Sequence, residues 1–208
     1  MINNAKALSY SKLSFSNYLK NFKAEKGDFH THTRIGNKEL NIYGATYNID
    51  YSDDFWNNYH NHIFNNNNEE YLTEKQIDDG PLLVDIDMRY DLSIKERQHS
   101  KEHIIDIIDL YLKNISRIFK IYNNSKIDIY VFEKPKINIL NDKVKDGIHL
   151  IFTIKMFKAE QCYLRRLIIE EINNIWNDIP FTNNISELFD EGISKGICNW
   201  QMYGSQKP

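Results

Sequence analysis

Leu82-Leu83-Val84-Asp85-Ile86-Asp87 is the stretch on which the fold turns. It follows a turn signal, Asp79-Gly80-Pro81, and is a mostly apolar run of strand length. Downstream, Ile104, Ile108, Tyr111, Ile115, Ile118 and Tyr122 recur at steps of 4, 3, 4, 3 and 4, one face of a helix about five turns long. Ile127–Phe132 reads as a strand ended by Glu133-Lys134-Pro135. A polar loop follows, and an Asp146-Gly147 turn feeds a further strand, Ile148–Ile154. Leu164, Leu167, Ile168, Ile172 and Ile175 then mark a second amphipathic helix. The order strand, helix, strand, strand, helix predicts an α/β (α+β) core. Upstream, residues 1–80 are polar and irregular, with short apolar clusters at Leu40–Tyr47 and Phe55–Tyr59. The expected division is therefore an amino-terminal part, 1–80, and a motif-bearing core, 81–208.

The chain has 208 residues, 41% of them apolar and 13% aromatic, enough for one domain or two small lobes sharing a core. No stretch approaches the ~20 consecutive apolar residues of a membrane span, and Met1 leads into polar sequence rather than a signal peptide. That argues against secretion and against the membrane. Cys162 and Cys198 alone cannot build a disulfide framework or a Cys-rich zinc module. The net charge of -3 does not advertise nucleic-acid binding, but a local basic groove can coexist with an acidic average. Asn, Ile, Lys and Tyr are abundant, as A/T-rich coding DNA produces, so Asn65–Asn68 reads as a solvated loop.

Several residues can carry chemistry. In a strand, residues i and i+2 share a face about 6–7 Å apart, so Asp85 and Asp87 can hold one or two hard divalent cations between them. The plain alternative is a strand running out into an acidic loop. His149 sits early in an apolar strand, where a hydrogen-bonded core residue is the ordinary outcome. Lys143, Lys145 and Gly147 before it would suit phosphate oxygens. Asp190 follows Leu188-Phe189, and its ordinary role is a helix cap. The tail Asn199–Lys207 holds a Gly-Ser turn followed by Lys207. His99-Ser100-Lys101-Glu102-His103 matches the H-x-x-E-H spacing of inverted zinc peptidases, but no third ligand is evident, the apolar helix face begins one residue later at Ile104, and a solvated first helical turn is the better reading. His30/His32 and His60/His62 read as structural or incidental pairs.

Taken in order, Leu83–Asp87, Lys145–Phe152, Asp190-Glu191 and Trp200–Pro208 resemble the archaeo-eukaryotic primase (AEP/PrimPol) superfamily, most closely the amino-terminal primase domain of D5-type primase-helicases of large DNA viruses. Thr31-His32-Thr33, Gly44–Tyr47 and Tyr130–Pro135 extend the resemblance over roughly residues 29 to 208. It implies that Asp85, Asp87 and Asp190 are the catalytic metal ligands, that His149 contacts the phosphates of the incoming nucleotide, and that Ser205 and Lys207 line the nucleotide site. Lys145 joins them as a basic neighbour of His149. Gln201 stands where many superfamily members carry an Arg, which shifts work to Lys207 and other basic residues.

The implied fold is two-lobed, with a mixed sheet carrying Asp85 and Asp87 and a second lobe, similar to an RNA-recognition fold, supplying Asp190. The implied activity is primer synthesis from nucleoside triphosphates on a single-stranded DNA template, with Mg²⁺ or Mn²⁺ in a two-metal site. Trp200, Tyr203 and Phe29 are stacking partners by type alone. The resemblance also implies an intracellular site of viral replication and a helicase domain following in the same polypeptide. The Y-G-S-x-K-P pattern normally leads onward in that family, and no Walker A pattern occurs here. Two other functions compete: a catalytically silent single-strand or origin-binding module, and a zinc peptidase centred on His99, Glu102 and His103.

Overall fold

The structure is a computed structural model that describes residues 15–122 and 126–208. The polar start expected of the first residues lies outside the described part. The chain folds as two compact units, one formed by residues up to Gln76 with Asn199–Pro208, the other by Ile77–Cys198. Against the expected 1–80 and 81–208 division, the boundary lies between Gln76 and Ile77, and the carboxy-terminal stretch returns to the first unit. The reason is strand pairing, since Trp200 and Gln201 add to a sheet built by the amino-terminal part.

That first unit is more regular than its sequence suggests. β1 (His32–Arg34), β2 (Ala45–Tyr47), β3 (Leu72–Glu74) and β8 (Trp200–Gln201) form an antiparallel sheet in the order β2-β1-β3-β8. Three-residue strands carry too little periodicity to be read in advance. Helix α1 (Asp53–His60) is capped by Ser52, which accepts from the Phe55 N–H, and runs on into a π-helical turn, Asn61–Asn65. Phe15, Leu19, Tyr47, Phe55, Tyr59, Leu72 and Met202 make the core.

Beneath it lies a buried ion pair. Arg34 donates through Nε and Nη2 to both carboxylate oxygens of Glu70, at 2.7 and 2.6 Å. Burial pushes the Glu70 carboxyl up, but hydrogen bonds from His62 and Arg34, with the Arg34 charge, outweigh it and hold the group below the usual range. His62, on that pair, and His32, between Thr31 and Tyr51, are structural. Asn68, expected in a solvated loop, is 4% exposed and bonded to His62.

The second unit has the connectivity β-α-β-β-α-β. β4 (Gly80–Tyr90) leads through α2 (Lys101–Ile118) to β5 (Ile129–Glu133), and the short β6 (Asn138–Ile139) and β7 (Val144–Met156) lead to α3 (Lys158–Glu171). β7 is central, with β4 along one edge and β5 and β6 along the other. A single bridge, Ile86 to Phe189, puts the returning chain against the outer edge of β4 as a vestigial fourth strand. This is the split β-α-β arrangement of ferredoxin-like and RNA-recognition folds. Every pairing is antiparallel rather than mixed, because β7 inserts between β4 and β5, the two strands that α2 would otherwise join side by side.

Alternation divides the sheet. Leu82, Val84, Ile86, Met88 and Tyr90 of β4, with Ile148, Leu150 and Phe152 of β7, turn to one face and are buried under α2 and α3. Ile104, Ile107, Tyr111 and Ile115 answer from α2, and Leu164 and Ile168 from α3. Tyr122, expected on the α2 face, lies beyond the helix and is exposed, since the chain turns extended at Phe119.

The Asp146-Gly147 turn is not formed. Asp146 lies inside β7 with no exposure, and its carboxylate takes Arg97 Nε at 2.9 Å and Nη2 at 3.2 Å. A buried charge needs such a partner, and the guanidinium outweighs the local turn preference. Arg97 Nη1 also reaches Glu133 of β5 at 3.0 Å, and His99 Nε2 meets the same carboxylate at 2.8 Å. Arg97 is pushed further up by the Asp146 hydrogen bond.

Two outcomes follow for stability. Arg97→Ala leaves Asp146 buried without its counter-charge and should cost about 3 kcal/mol in urea unfolding, the low end for a broken buried pair because Arg97 is itself part-exposed. In the first unit, burial lowers the His32 pKa from 6.5 to about 4. The unfolded chain therefore takes up a proton that the folded one refuses. The stabilisation is fully present above pH 6.5 and is lost as the pH falls from there to about 4. A His32→Gln variant should show a flatter stability slope across that window in pH-dependent urea titrations.

Candidate active site

The second face of the β4/β7 pair carries the charge. Asp85, Asp87 and Arg89 alternate with the buried residues of β4, and the register sets His149 opposite Asp85, Gly147 opposite Asp87 and Lys145 opposite Arg89. Directly opposed residues in an antiparallel pair share a face, so all six positions lie together. Asp85 Oδ1 stands 3.2 Å from His149 Nε2, with the side chains 16% and 39% exposed. Gly147 matters by what it lacks. A Cβ there would come 3.0 Å from the Ile86 carbonyl and 3.7 Å from Asp87 Oδ1, so glycine keeps the space beside the carboxylate open.

Asp190 arrives from the outer edge. The bridge pairs Phe189 with Ile86, and the Asp190 N–H donates to the Asp85 carbonyl at 2.9 Å. Phe189 therefore enters the core while Asp190, one residue on, falls opposite Asp85 on the charged face, where opposed Cβ atoms stand about 4.5–5.5 Å apart. This corrects the expectation that another lobe supplies Asp190: one unit carries Asp85, Asp87 and Asp190, because the fourth edge position of its own sheet is filled by this segment. Its placement is enforced from two sides. Arg165 of α3 donates through Nε to the Phe189 carbonyl at 2.9 Å. Asn183 spans the β4 edge, accepting from the Arg89 N–H at 3.0 Å and donating to the Asp87 carbonyl at 2.9 Å.

Asp190 also caps a short helix, α4 (Glu191–Ser194), its Oδ1 accepting from the N–H groups of Gly192 at 2.6 Å and Ile193 at 3.2 Å. A carboxylate has two oxygens and about four acceptor positions, so capping through Oδ1 leaves Oδ2 for another ligand. Among the described residues, no three His, Cys, Asp or Glu side chains already converge as a metal cluster. The donor set nonetheless fits a hard divalent cation, since Asp85 and Asp87 offer carboxylate oxygens on one face beside the gap above Gly147.

The remaining expected positions divide. Lys145, half-buried, lies on the charged face, while Lys143 pairs with Asp142 in the hairpin before it. Ser205 and Lys207 belong to the first unit. The Ser205 hydroxyl is buried, accepting from the Leu72 N–H at 3.1 Å and bonding Tyr59 at 3.0 Å, whereas Lys207 is exposed. The Gln201 side chain donates to the Ser205 carbonyl. Of the aromatic candidates, Trp200 is buried, Tyr203 stacks on Phe64 in the open, and Phe29 is exposed.

The zinc-peptidase pair comes apart. His99 is buried against Glu133 and Asp146, whereas His103 closes a capping box with Ser100 and turns to Asp178 at 3.1 Å. The motif is a helix start. Two residues of this region carry no signal recognised in the sequence: Asp146 was hidden by its turn preference, and Arg89 continues the Asp85, Asp87 alternation beyond the apolar run.

A split β-α-β unit with carboxylates, a histidine and basic residues on its helix-free face accords with the class of primase-type domains. The comparisons place the chain within it. Residues 36–208 match the family described as the C962R protein N-terminal AEP domain, and the chain belongs to that family. It is 26% identical over 140 residues to a helicase-named protein, L207/L206, of Acanthamoeba polyphaga mimivirus, covering 66% of this chain and 14% of that one. It is 30% identical over 202 residues to a helicase-named protein, 184R, of Invertebrate iridescent virus 6, covering 86% of this chain and 20% of that one. The chain thus spans a minor part of each relative. Relatives in large DNA viruses accord with the D5-like primase-helicase group.

Gly147→Ala tests the gap. The added methyl must displace the Ile86 carbonyl or the β7 backbone, and the variant should lose about 1 kcal/mol in urea unfolding, as modest overpacking does. An unchanged midpoint would show that the strands part there at no cost.

Proposed function

We propose that this domain is a DNA primase or primase-polymerase, building primers from nucleoside triphosphates on single-stranded DNA during viral replication. The observation that supports the reading is the strand register that sets Asp85 and Asp87 on one face with His149 and Lys145 on the neighbouring strand, with the Phe189 bridge bringing Asp190 alongside Asp85. In the transfer step the 3′-hydroxyl of one nucleotide loses its proton to solvent, its oxygen bonds the α-phosphorus of the next, and pyrophosphate leaves with the electrons of the broken bond. Mg²⁺ or Mn²⁺ held by Asp85, Asp87 and the second oxygen of Asp190 would supply the Lewis acidity for both oxygens. His149, held by Asp85, presents a ring N–H to a phosphate oxygen. Lys145 adds positive charge on the same face. Ser205 and Lys207, which the resemblance also assigns to nucleotide binding, lie in the first unit.

A catalytically silent single-strand or origin-binding module is the second reading, and the engagement of Asp190 Oδ1 in capping favours it. De novo synthesis on a single-stranded template, with labelled nucleotides and either metal, separates the two. We expect product from the native chain. Asp85→Ala or Asp87→Ala should abolish it, with a loss of at least about a thousand-fold if the metals carry the charge stabilisation, and circular dichroism should be unaltered. Undiminished synthesis by a folded double variant removes the assignment; template binding without any incorporation establishes the silent module.

We further infer that the domain works beside a helicase in the same polypeptide, as the names of its relatives suggest, at an intracellular site of viral replication. Tethering raises the local concentration of a weak template binder. By itself the domain should bind single-stranded DNA weakly, with affinity falling steeply between low and physiological salt in fluorescence anisotropy.

A further inference from the structure

Beside its carboxylates the charged face carries a pair of cations, and one of them has no role so far. Arg89 lies one two-residue step beyond Asp87 on β4, about 6–7 Å between Cα atoms, and directly across from Lys145. Its backbone is held on both sides, the N–H by Asn183 and the carbonyl by the Thr182 N–H at 2.7 Å, so the side chain springs from a fixed base. The guanidinium is only loosely occupied. Nη1 meets Glu187 Oε2 at 2.7 Å in an exposed pair, with 35% and 48% of the side chains open to solvent, and Nε is buried with no hydrogen-bond partner. Such exposed pairs hold weakly and exchange readily for a stronger anion. A guanidinium offers five donors in a planar fork that suits phosphate oxygens, and a lone carboxylate cannot satisfy them.

We propose that Arg89, together with Lys145, binds the β- and γ-phosphates of the incoming nucleoside triphosphate, and that Glu187 parks the guanidinium until the nucleotide displaces it. The order of charges along β4 supports this polarity. The acidic positions, 85 and 87, suit a metal-bridged α-phosphate, and the basic pair one step further suits the rest of a polyphosphate chain, whose charge would be repelled anywhere nearer the carboxylates. The ligand class is a polyphosphate, so a nucleoside monophosphate should gain nothing from Arg89. The proposal rests on the nucleotidyl-transfer reading for its biological meaning but not for its measurement.

The test is equilibrium binding of fluorescently labelled nucleoside tri- and monophosphates to the intact chain in EDTA, where no metal contributes. The native chain should prefer the triphosphate. Arg89→Gln should weaken triphosphate binding about ten-fold, as loss of a charge-assisted contact implies, and leave the monophosphate unchanged. Arg89→Lys should recover part of the difference. Glu187→Gln, a surface change that leaves Arg89 in place, should tighten triphosphate binding by removing the competing carboxylate. An Arg89→Gln variant that keeps the native triphosphate preference overturns the proposal, as does a Glu187→Gln variant with unchanged or weaker binding, or a native chain that does not distinguish the two nucleotides. Arg89-dependent binding in a chain that makes no primers would sustain the phosphate site while defeating the enzymatic reading. Primer synthesis that is insensitive to Arg89→Gln at subsaturating nucleotide would do the reverse.

Discussion

The register between β4 and β7 is the constraint on which the second unit depends. From Leu82 to Tyr90 each residue of β4 has one partner on β7, after an irregularity between Pro81 and Leu82. Because side chains alternate with a period of two, this one alignment decides two things together: which residues fill the core and which charges meet in the open. A slip by one residue would drive Asp85, Asp87 and Arg89 under the helices and expose Val84, Ile86 and Met88. Each apolar side chain so exposed forfeits about 1.5–3 kcal/mol, and each unpaired charge buried would lose more. No neighbouring alignment competes, so the charged face is specified by the hydrophobic face behind it.

The Arg97 cluster reinforces that alignment. Arg97 and His99 come from the connection between β4 and α2, Glu133 from β5, and Asp146 from β7, so one polar knot fixes the central strand next to Gly147 and His149. The capping box that starts α2 at Ser100 lies immediately after His99, so the start of the helix is fixed along with the strand. The residues that look most like a zinc motif are therefore the ones that tie the sheet to its first helix. Polar groups in this knot are costly to bury singly, and each is tolerable because the others answer it.

Much of this was legible in the sequence, and the failures have physical causes. Strong periodicity made β4, α2, β5 and α3 readable, because a long element must bury an entire face and its spacing records that need. The first unit was not readable as a sheet. His32–Arg34, Ala45–Tyr47 and Leu72–Glu74 are three residues each, and their pairing is a long-range event that leaves no local trace. The turn expected at Asp146-Gly147 failed because a local preference yielded to a distant guanidinium. For the charged face, the D-x-D spacing announced Asp85 and Asp87, while Asp190 emerged only through resemblance, since the single bridge that brings it to Asp85 has no periodicity. Arg89 lies beyond the apolar run and so carries no strand signal of its own, although the alternation of β4 continues to Tyr90.

The vestigial fourth strand has its own logic. A full strand along the outer edge of β4 would place a row of paired side chains beside Asp85 and Asp87 and close the face from that side. A single bridge at Phe189 instead anchors one apolar residue in the core and then releases the chain at Asp190, where α4 begins. Further along the edge, Thr182 and Asn183 occupy the outward backbone positions at Asp87 and Arg89 without continuing a ladder. The edge is thereby protected from pairing with other chains while the face stays accessible. The helix start that follows also turns Asp190 Oδ1 toward backbone N–H groups, which sets the direction of the carboxylate as firmly as its position. The cap supplies that hold through one oxygen only, which leaves the second open on the same carboxylate.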